Sequence, residues 1–568
     1  MSELTYIKGK DECLESSIAR MQSILQGLGF RINDKAHLNP VPYIHSLHIY
    51  DEHCPGLFTN GKGASEKATL ASALGEFLER LSTNYFFSDY WLMEQQDEWL
   101  YYPQEKRFDE DDWRLCLTPG LWKLYDEQHE LNWDDLLSFN DHSPFIRALP
   151  MLAESSGETV YFPMNLLSNL YASNGLSAGN TALEAQVQGL SEIFERWVKN
   201  TILQENLCLP EIPDSVLEQY PNVCEAIRAL KEEGIDVSVR DASLGGRFPV
   251  VNVTLFEQRY GRCFASFGAH PMFEVALERT LTESLQGRKL GELDGFQLPV
   301  FDEEAVASAE NLENHFIDSS GWIHARFISD RYDYEFTPWD FSGDTGQQWA
   351  ALCRTVHELG YEVYSANYTQ FGFETCRIIV PGMSEVYPAD ELLHSNQNQG
   401  RHLRRMLIEL PEKQNFMQLV DWLDEVGYSD HQGIVSIIGL MPDPESFWAH
   451  LNVIQLKFWC CLAAVEQEDA LDLGRDIGYF ISAESQWFPV YQALVYALEC
   501  AQEGEELHSG LAPLFGSDLS AKALKNLNGE EIFWSADLGE AIFTNSKRHQ
   551  AMLEIYRSLK GHKESMLM

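Results

Sequence analysis

A loop followed by a helix-forming segment occurs twice in this sequence with the same spacing, and this repeat constrains the fold more than any other feature. The loop Asn60–Ser65 leads into Glu76-Phe77-Leu78-Glu79-Arg80, and the loop Ser177–Thr181 leads into Glu192-Ile193-Phe194-Glu195-Arg196. Both segments read E-x-x-E-R, and each begins at the same distance after a loop glycine. A match of both motif and spacing indicates a duplicated structural module.

A third and looser copy runs from Gly268 to Arg288. It replaces the second glutamate of the motif by Gln286, three residues after Glu283, and it adds Arg279 and Arg288. We interpret it as the same module with altered chemistry.

The repeated glutamates predict a metal site. On a helix, residues three and four apart share a face, so Ser72 lies on one stripe with Glu76 and Glu79, and the second copy carries a matching stripe of Gln188, Glu192 and Glu195. Two carboxylates at this spacing repel each other unless a cation lies between them. Hard oxygen ligands without histidine favour Mg²⁺ over zinc or copper.

Magnesium in turn predicts a nucleotide, because Mg²⁺ prefers a few protein carboxylates together with substrate phosphates. Four basic residues are candidates for contacts with those phosphates: Lys62, Arg196, Arg279 and Arg288. The chain has no G-x-x-x-x-G-K-[ST] loop and no kinase signature, so an ATP site must be built differently here. The alternative for a single copy is a solvent-facing stripe stabilised by Glu–Arg pairs, and duplication with intact spacing favours the site.

Charge and cysteine content limit the class of protein. The formal net charge of −46 over 568 residues disfavours general nucleic-acid binding and favours a basic partner or cations. The eleven cysteines contain no C-x-x-C pair and indicate reduced thiols in a cytoplasmic protein. Neither a signal peptide nor a membrane-spanning apolar run is recognisable, so we expect no membrane association.

The order of predicted elements gives an α+β fold with a mixed core and an all-helical end. We predict a helix within Asp11–Phe30, strands at Tyr43–Ile49, Pro249–Leu255 and Arg377–Gly382, and an irregular insertion over Glu98–His142. The predicted helices near the end are Phe416–Val426, Trp448–Glu466, Ala470–Ile481 and Pro489–Ala501. They resemble tetratricopeptide hairpins, although the repeat signature is incomplete. The expected divisions are 1–58, 59–410 and 415–568.

The motifs resemble those of the YcaO family, whose ATP site combines S-x-x-x-E-x-x-E, E-x-x-E-R and E-x-x-Q on separate helices. The resemblance covers the motif region and implies a YcaO-type fold that binds Mg-ATP. It implies that Glu76, Glu79, Glu192 and Glu195 hold magnesium. The ligand shell would be oriented by Lys10, Ser17, Lys62, Ser72, Glu184, Gln188, Glu283 and Gln286, and Arg196, Arg279 and Arg288 would act on phosphate.

The resemblance also implies a chemistry, in which a peptide amide oxygen is phosphorylated so that a nucleophile can attack its carbon. Ring-forming members end in a P-x-P-x-P tail, whereas this chain ends Glu564-Ser565-Met566-Leu567-Met568, so azoline synthesis is not expected. The layout is similar to that of stand-alone members described as accessory factors in β-methylthiolation of a small-subunit ribosomal protein. A protein or peptide substrate, a radical methylthiotransferase partner and a homodimer are therefore expected.

Two alternatives remain open. The protein can be a nucleotide-regulated adaptor that recruits a modifying enzyme through its helical end without chemistry of its own. It can also be a metal–carboxylate protein without nucleotide, which requires Lys62 and the arginines to lie away from the glutamates. His270, in the third loop, is a candidate for proton transfer, and a structural role before a helix is the competing interpretation.

Overall fold

The computed structural model describes residues 4–93, 99–341 and 343–565, without the side chains of 505–507. Three antiparallel sheets form its β structure: β1-β2-β3, β10-β9-β8, and β4-β5-β11-β12-β7 with β6 paired to β5. The strands are β1 (Ile32–Val41), β2 (Ile44–Asp51), β3 (Phe58–Gly63), β4 (Lys106–Phe108), β5 (Ile146–Ala153), β6 (Thr159–Pro163), β7 (Leu176–Gly179), β8 (Ile235–Asp241), β9 (Val250–Glu257), β10 (Arg262–Ala269), β11 (Tyr364–Tyr368) and β12 (Glu374–Ile379).

Helices connect and cover these sheets, and they make up the region that follows. Those before residue 400 are α1 (Leu14–Gly27), α2 (Glu66–Ser82), α3 (Pro119–Tyr125), α4 (Met164–Leu166), α5 (Ala182–Gln204), α6 (Asp214–Leu217), α7 (Pro221–Glu232), α8 (Phe273–Ser284), α9 (Glu303–Ala307), α10 (Ala309–Ile317), α11 (Thr345–Glu358) and α12 (Glu391–His394). Those after it are α13 (Gly400–Lys413), α14 (Phe416–Val426), α15 (Ile434–Ile438), α16 (Val453–Ala463), α17 (Gln467–Phe480), α18 (Phe488–Glu503), α19 (Leu511–Phe515), α20 (Ser517–Leu527), α21 (Ala541–Thr544) and α22 (Lys547–Ser565).

The repeat seen in the sequence is a strand, a tight connection and a helix that packs back on that strand. It occurs as β3–α2, β7–α5 and β10–α8. A glycine in each strand makes the close packing possible, because an added Cβ would collide with the following helix. The contacts would be 2.2 Å from the Thr69 carbonyl oxygen for Gly61, 2.5 Å from the Ala185 nitrogen for Gly179, and 2.3 Å from Thr280 Oγ1 for Gly268.

Each of the three helices begins with a satisfied backbone N–H group. Ser65 Oγ accepts from the Ala68 N–H at 3.3 Å at the start of α2, and Thr181 Oγ1 accepts from the Glu184 N–H at 3.1 Å at the start of α5. At the start of α8 the acceptor is His270 Nδ1, 3.0 Å from the Met272 nitrogen. The side-chain caps of Ser65 and Thr181 fix where α2 and α5 start and hence which face their glutamates occupy, whereas α8 has no side-chain cap and His270 binds the residue just before it.

The helices after residue 415 agree with three of the four predicted there and differ from the prediction in the fourth. The helix predicted over Trp448–Glu466 is interrupted, and α16 starts only at Val453. The reason is a capping box, in which the Asn452 and Gln455 side chains each accept a hydrogen bond from the other residue's backbone N–H. Helical hairpins are present, and a tetratricopeptide repeat and the domain limits at 58, 410 and 415 stay predictions.

The last helix, α22, packs against the segment that follows α2. Lys563 is fully buried, and its ammonium donates to the Ser82 and Tyr101 carbonyl oxygens, each at 3.1 Å, and to Asn84 Oδ1 at 2.6 Å. On the same helix, Tyr556 stacks on Trp99 with ring centroids 4.1 Å apart. One hydrophobic cluster accordingly runs from the N-terminal part of the chain into the helical end.

Other properties of the chain bear on the predictions from composition. All eleven cysteines are free, and every one except Cys224 is buried. Within the described ranges, no helix is both long and apolar enough to cross a membrane. The predicted insertion is irregular from residue 99 onward, with only short elements, and its first residue, Glu98, lies outside the described residues.

Candidate nucleotide and metal site

The first glutamate pair lies on α2 and is bound to an arginine of the same helix. Arg80 Nη2 lies 3.3 Å from Glu76 Oε1, and Arg80 Nε lies 3.7 Å from Glu79 Oε1. The guanidinium is stacked on the Tyr85 ring at 4.3 Å. Burial raises the pKa of Glu79 to about 8, and the negative charges of Glu76 and Glu192 act in the same direction against the opposing effect of Arg80.

The second pair lies on α5 and repeats this arrangement. Arg196 Nη2 lies 2.5 Å from Glu192 Oε1, and Arg196 Nη1 donates to Asn174 Oδ1 at 3.2 Å. Burial raises the pKa of Glu195, while the positive charges of Lys62 and Lys199 lower it. Glu192 also acts electrostatically on Glu79 of the first pair, so the two modules face one site.

Lys62 joins the three modules at this site. It lies at the end of β3, its ammonium forms an ion pair with Glu283 of α8, and its backbone N–H donates to Ser72 Oγ at 3.4 Å. Burial lowers the pKa of Lys62, and the charges of Glu195, Glu192 and Glu76 oppose this shift. The structure therefore brings Lys62 together with both glutamate pairs.

The third module contributes Arg279 from the middle of α8 and Gln286 from the turn after that helix. Burial lowers the pKa of Arg279, against the opposing negative charges of Glu195, Glu184 and Glu192. Gln286 Nε2 donates to the Asn60 carbonyl oxygen at 3.0 Å, which ties the turn after α8 to β3. Lys62 and Arg279 thus converge on the glutamates, contrary to what a metal–carboxylate protein without nucleotide requires.

The N-terminal segment contacts the start of α5. Lys10 Nζ lies 3.0 Å from Glu184 Oε1, and the Asp11 N–H donates to Glu184 Oε2 at 2.8 Å. Ser17 Oγ donates to Asn180 Oδ1 at 2.6 Å, and the Asn180 amide donates to both Glu184 oxygens at 3.1 and 3.0 Å. Lys10 and Glu184 are therefore linked to Ser17 through Asn180 in one hydrogen-bonded group, and the role of these three residues in the ligand shell stays a prediction.

Arg288 is placed differently from the other predicted arginines. Its guanidinium donates to the backbone carbonyls of Asp294 at 2.8 Å and Asp318 at 3.3 Å, and it lies 4.2 Å from the Phe264 ring centroid. The charges that act on it are those of Asp318 and Asp294, after burial has lowered its pKa. Its hydrogen bonds are directed to backbone, and a role on phosphate stays a prediction.

The site residues fit a hard cation that binds together with additional ligands. Within residues 4–93, 99–341 and 343–565, no three His, Cys, Asp or Glu side chains are grouped closely enough to hold a metal ion by themselves. Two polar atoms at the site, Gln188 Oε1 and Arg80 Nη1, are buried without a hydrogen-bond partner. Buried polar atoms are normally satisfied, so these two atoms retain hydrogen-bonding capacity that a bound polar ligand could use. Carboxylate and amide oxygens are suited to Mg²⁺ with phosphate.

Lys199 is important at the site but did not stand out in the sequence. Lys199 is buried one helical turn after Glu195, donates to the His315 carbonyl oxygen at 2.5 Å, and has its pKa lowered to about 8 by burial. The sequence signal for Lys199 was its position four residues after Glu195, on the same face of α5. His270, the proton-transfer candidate from the sequence, is buried with its Nδ1 accepting from the Met272 N–H, and burial holds its pKa well below the usual value.

Comparison with known proteins gives two matching family models. Residues 60–384 match the model described as YcaO cyclodehydratase, ATP- and Mg²⁺-binding, and residues 400–565 match the YcaO cyclodehydratase C-terminal domain. The prediction of ATP and Mg²⁺ as cofactors is thereby confirmed for the family.

Similar proteins include two full-length relatives. The chain is 43% identical to the ribosomal protein S12 methylthiotransferase accessory factor YcaO of Escherichia coli, over 98% of both chains. It is 42% identical to an uncharacterized protein of Haemophilus influenzae, over 99% of both chains. A solved structure of YcaO from Methanopyrus kandleri, bound with AMPPCP and Mg²⁺, is 19% identical with a TM-score of 0.42, and the match covers 67% of this chain and 95% of that one. From the family models and the full-length relatives together, this chain belongs to the YcaO family.

Proposed function

We propose that this protein uses Mg-ATP to phosphorylate an amide or carbonyl oxygen of a protein or peptide, in support of methylthiolation of a ribosomal protein. The observation that carries the proposal is the meeting of two glutamate pairs from α2 and α5 with Lys62 and Arg279, which come from two further elements. The Escherichia coli relative, named as an accessory factor for a ribosomal protein methylthiotransferase, supports the choice of substrate.

The proposed roles of the site residues follow from their charges. Glu76, Glu79, Glu192 and Glu195 would supply oxygen ligands for Mg²⁺ together with phosphate oxygens, and the metal would supply neutralisation of phosphate charge. Lys62 and Arg279 are positively charged groups beside these ligands and would contact phosphate oxygens. Arg196 is paired with Glu192 and would be released towards phosphate when that carboxylate is otherwise engaged.

The proposed reaction is an in-line phosphoryl transfer. The substrate oxygen forms a bond to the γ-phosphorus while the bond from that phosphorus to the β–γ bridging oxygen breaks, and ADP leaves with the electron pair. Such a transfer depends mainly on positioning and charge stabilisation and needs no strong base. The Nδ1 atom of His270 already accepts from the Met272 N–H, so His270 is not the proton acceptor in this proposal.

Calorimetry with Mg-ATP tests the binding step. We expect wild type to bind, and we expect Glu76→Gln and Glu192→Gln each to weaken binding by more than tenfold while the far-UV circular dichroism is unchanged. Glu15→Gln is a matched control, since Glu15 lies at the start of α1 and pairs with Lys67 away from the two glutamate pairs. Folded wild type that does not bind Mg-ATP would refute the proposal.

Hydrolysis assays separate this function from the adaptor alternative. Phosphoryl transfer predicts that ribosomal protein S12 increases ADP formation and that the Arg279→Met variant loses this increase. The adaptor alternative is favoured by the packing of α22 on the segment after α2, which connects the helical end to a site helix. It predicts ATP-dependent recruitment of the methylthiotransferase with no S12-dependent ADP formation.

A further inference from the structure

A short segment beside the site touches three of its basic residues. We call His315–Trp322 the 315–322 segment. The His315 carbonyl oxygen accepts from Lys199 Nζ, and the Asp318 carbonyl oxygen accepts from Arg288. The Phe316 ring lies under the Arg196 guanidinium, 4.3 Å from its centroid. Whatever binds to this segment is therefore next to the predicted phosphate-binding side of the site.

The same segment carries exposed apolar side chains and pairs with a second segment that carries more. Ile317 is 67% exposed and Trp322 is 44% exposed. In the second segment, Leu298 is 67% exposed and Phe301 is 86% exposed. We call these four residues the apolar patch.

Backbone hydrogen bonds hold the two halves of the apolar patch side by side. The Val300 N–H donates to the Ile323 carbonyl oxygen at 3.0 Å, and the Ala325 N–H donates to the Val300 carbonyl oxygen at 2.8 Å. Gln297 Nε2 also donates to the Ser320 carbonyl oxygen. Large apolar side chains exposed on two segments that are hydrogen-bonded to each other are typical of an interaction site.

Acidic residues are frequent in the chain on either side of the apolar patch. Six exposed carboxylates lie in the same two stretches of chain: Glu292, Asp294, Asp302, Glu303, Glu304 and Asp318. Of these, Glu292 is paired with Lys289, and Asp294 and Asp318 lie beside Arg288, so Asp302, Glu303 and Glu304 next to Phe301 provide the negative charge without a basic partner among the ion pairs of the described residues. A partner for this surface must therefore bring apolar side chains together with positive charge.

We propose that the apolar patch docks a segment of the substrate protein in which apolar side chains alternate with lysines or arginines. The substrate, in preference to another partner, is indicated by the contacts of the 315–322 segment with Arg196, Lys199 and Arg288. The apolar side chains would cover the patch, and the basic ones would meet the neighbouring carboxylates. This inference rests on the proposed function and adds the substrate class to it.

Binding of ribosomal protein S12 to the full-length protein tests the docking surface. We expect Phe301→Asp to weaken S12 binding at least tenfold with unchanged Mg-ATP affinity, and we expect wild-type binding to weaken as salt rises. Tyr479→Asp is the matched control, because Tyr479 is similarly exposed at 84% but lies on α17. Unchanged Mg-ATP affinity also shows that Phe301→Asp has left the fold intact.

The contrary outcomes are distinct. The inference is overturned if wild type does not bind S12, or if Phe301→Asp and Tyr479→Asp bind it equally. It is also overturned if light scattering shows that Phe301→Asp converts a dimer into a monomer, since the occupant is then a second copy of this chain. If S12 binds through the patch but does not stimulate ADP formation, the docking surface stands and the proposed phosphoryl transfer fails.

Discussion

Replacing Lys563 by methionine should increase the local opening of the Thr83–Phe87 segment, which follows α2. Lys563 is the residue of α22 whose ammonium is fully buried among three acceptors. Methionine retains the unbranched apolar stem and its packing, so the substitution removes mainly the three hydrogen bonds. The acceptors hold the turn that begins at Asn84 and continues into Tyr85, whose ring supports Arg80.

The magnitude follows from what happens to each acceptor. The Ser82 carbonyl oxygen keeps a hydrogen bond from Gln370 Nε2 at 2.8 Å, so it remains satisfied. Asn84 Oδ1 and the Tyr101 carbonyl oxygen lose their bond to Lys563, and an unsatisfied buried acceptor costs about 1–3 kcal/mol. Removing a buried ammonium recovers part of this cost, because its desolvation was unfavourable. We expect a net loss of about 3 kcal/mol from the free energy of local opening.

Hydrogen exchange of the Thr83–Phe87 amides measures this local opening. A loss of about 3 kcal/mol corresponds to exchange faster by about 100-fold. Lys547→Met is the control, because Lys547 is an exposed residue at the start of the same helix. We also expect Mg-ATP to bind several-fold more weakly to Lys563→Met than to the control. Equal exchange rates in the two variants would show that the three hydrogen bonds do not hold this turn.

Three further predictions address protonation, burial and packing. Because the pKa of Glu79 is about 8, this carboxyl is mostly protonated at pH 7. Mg-ATP affinity should therefore rise about tenfold from pH 7 to 9 and then level off. Calorimetry in buffers of different ionisation heat should detect the proton that Glu79 releases on binding. Arg147→Met leaves two buried carboxylates without their arginine and should lower stability by about 3–5 kcal/mol, seen as a lower denaturation midpoint. Gly61→Ala should displace α2 at Thr69 and weaken Mg-ATP binding, whereas Gly27→Ala, which meets nothing within 4 Å, should leave binding unchanged in the same titration.

Much of the candidate site could be predicted from the sequence because the positions of the glutamates on their helices depend only on residues close to them in the chain. Helical spacing puts Glu76 and Glu79 on one face whatever surrounds them, and the same holds for Glu192 and Glu195. The repeat also predicted that two such faces belong to similar modules. The structure gives both modules a strand and a capped helix, with the strand glycine packed against the helix.

The contacts between modules could not be predicted in the same way. Lys62 pairs with Glu283, more than two hundred residues away, and nothing in the local pattern selects that partner. Arg288 follows the third motif closely, yet its hydrogen bonds go to the backbone at Asp294 and Asp318. Lys563 has no motif, and only its burial against Asn84 gives it significance.

The sequence by itself determined the helices that carry the glutamates and the chemical type of ligand, because periodicity and motif spacing depend on neighbouring residues, and its motifs pointed to the family by resemblance. The tertiary structure alone decided which charges meet. Burial on packing raises the pKa of Glu79 and lowers that of Lys62, and these shifts depend on side chains from distant parts of the chain. It also decided where the apolar patch lies, because the segment that carries Leu298 and Phe301 and the segment that carries Ile317 and Trp322 become neighbours only when the backbone at Val300 pairs with that at Ile323 and Ala325.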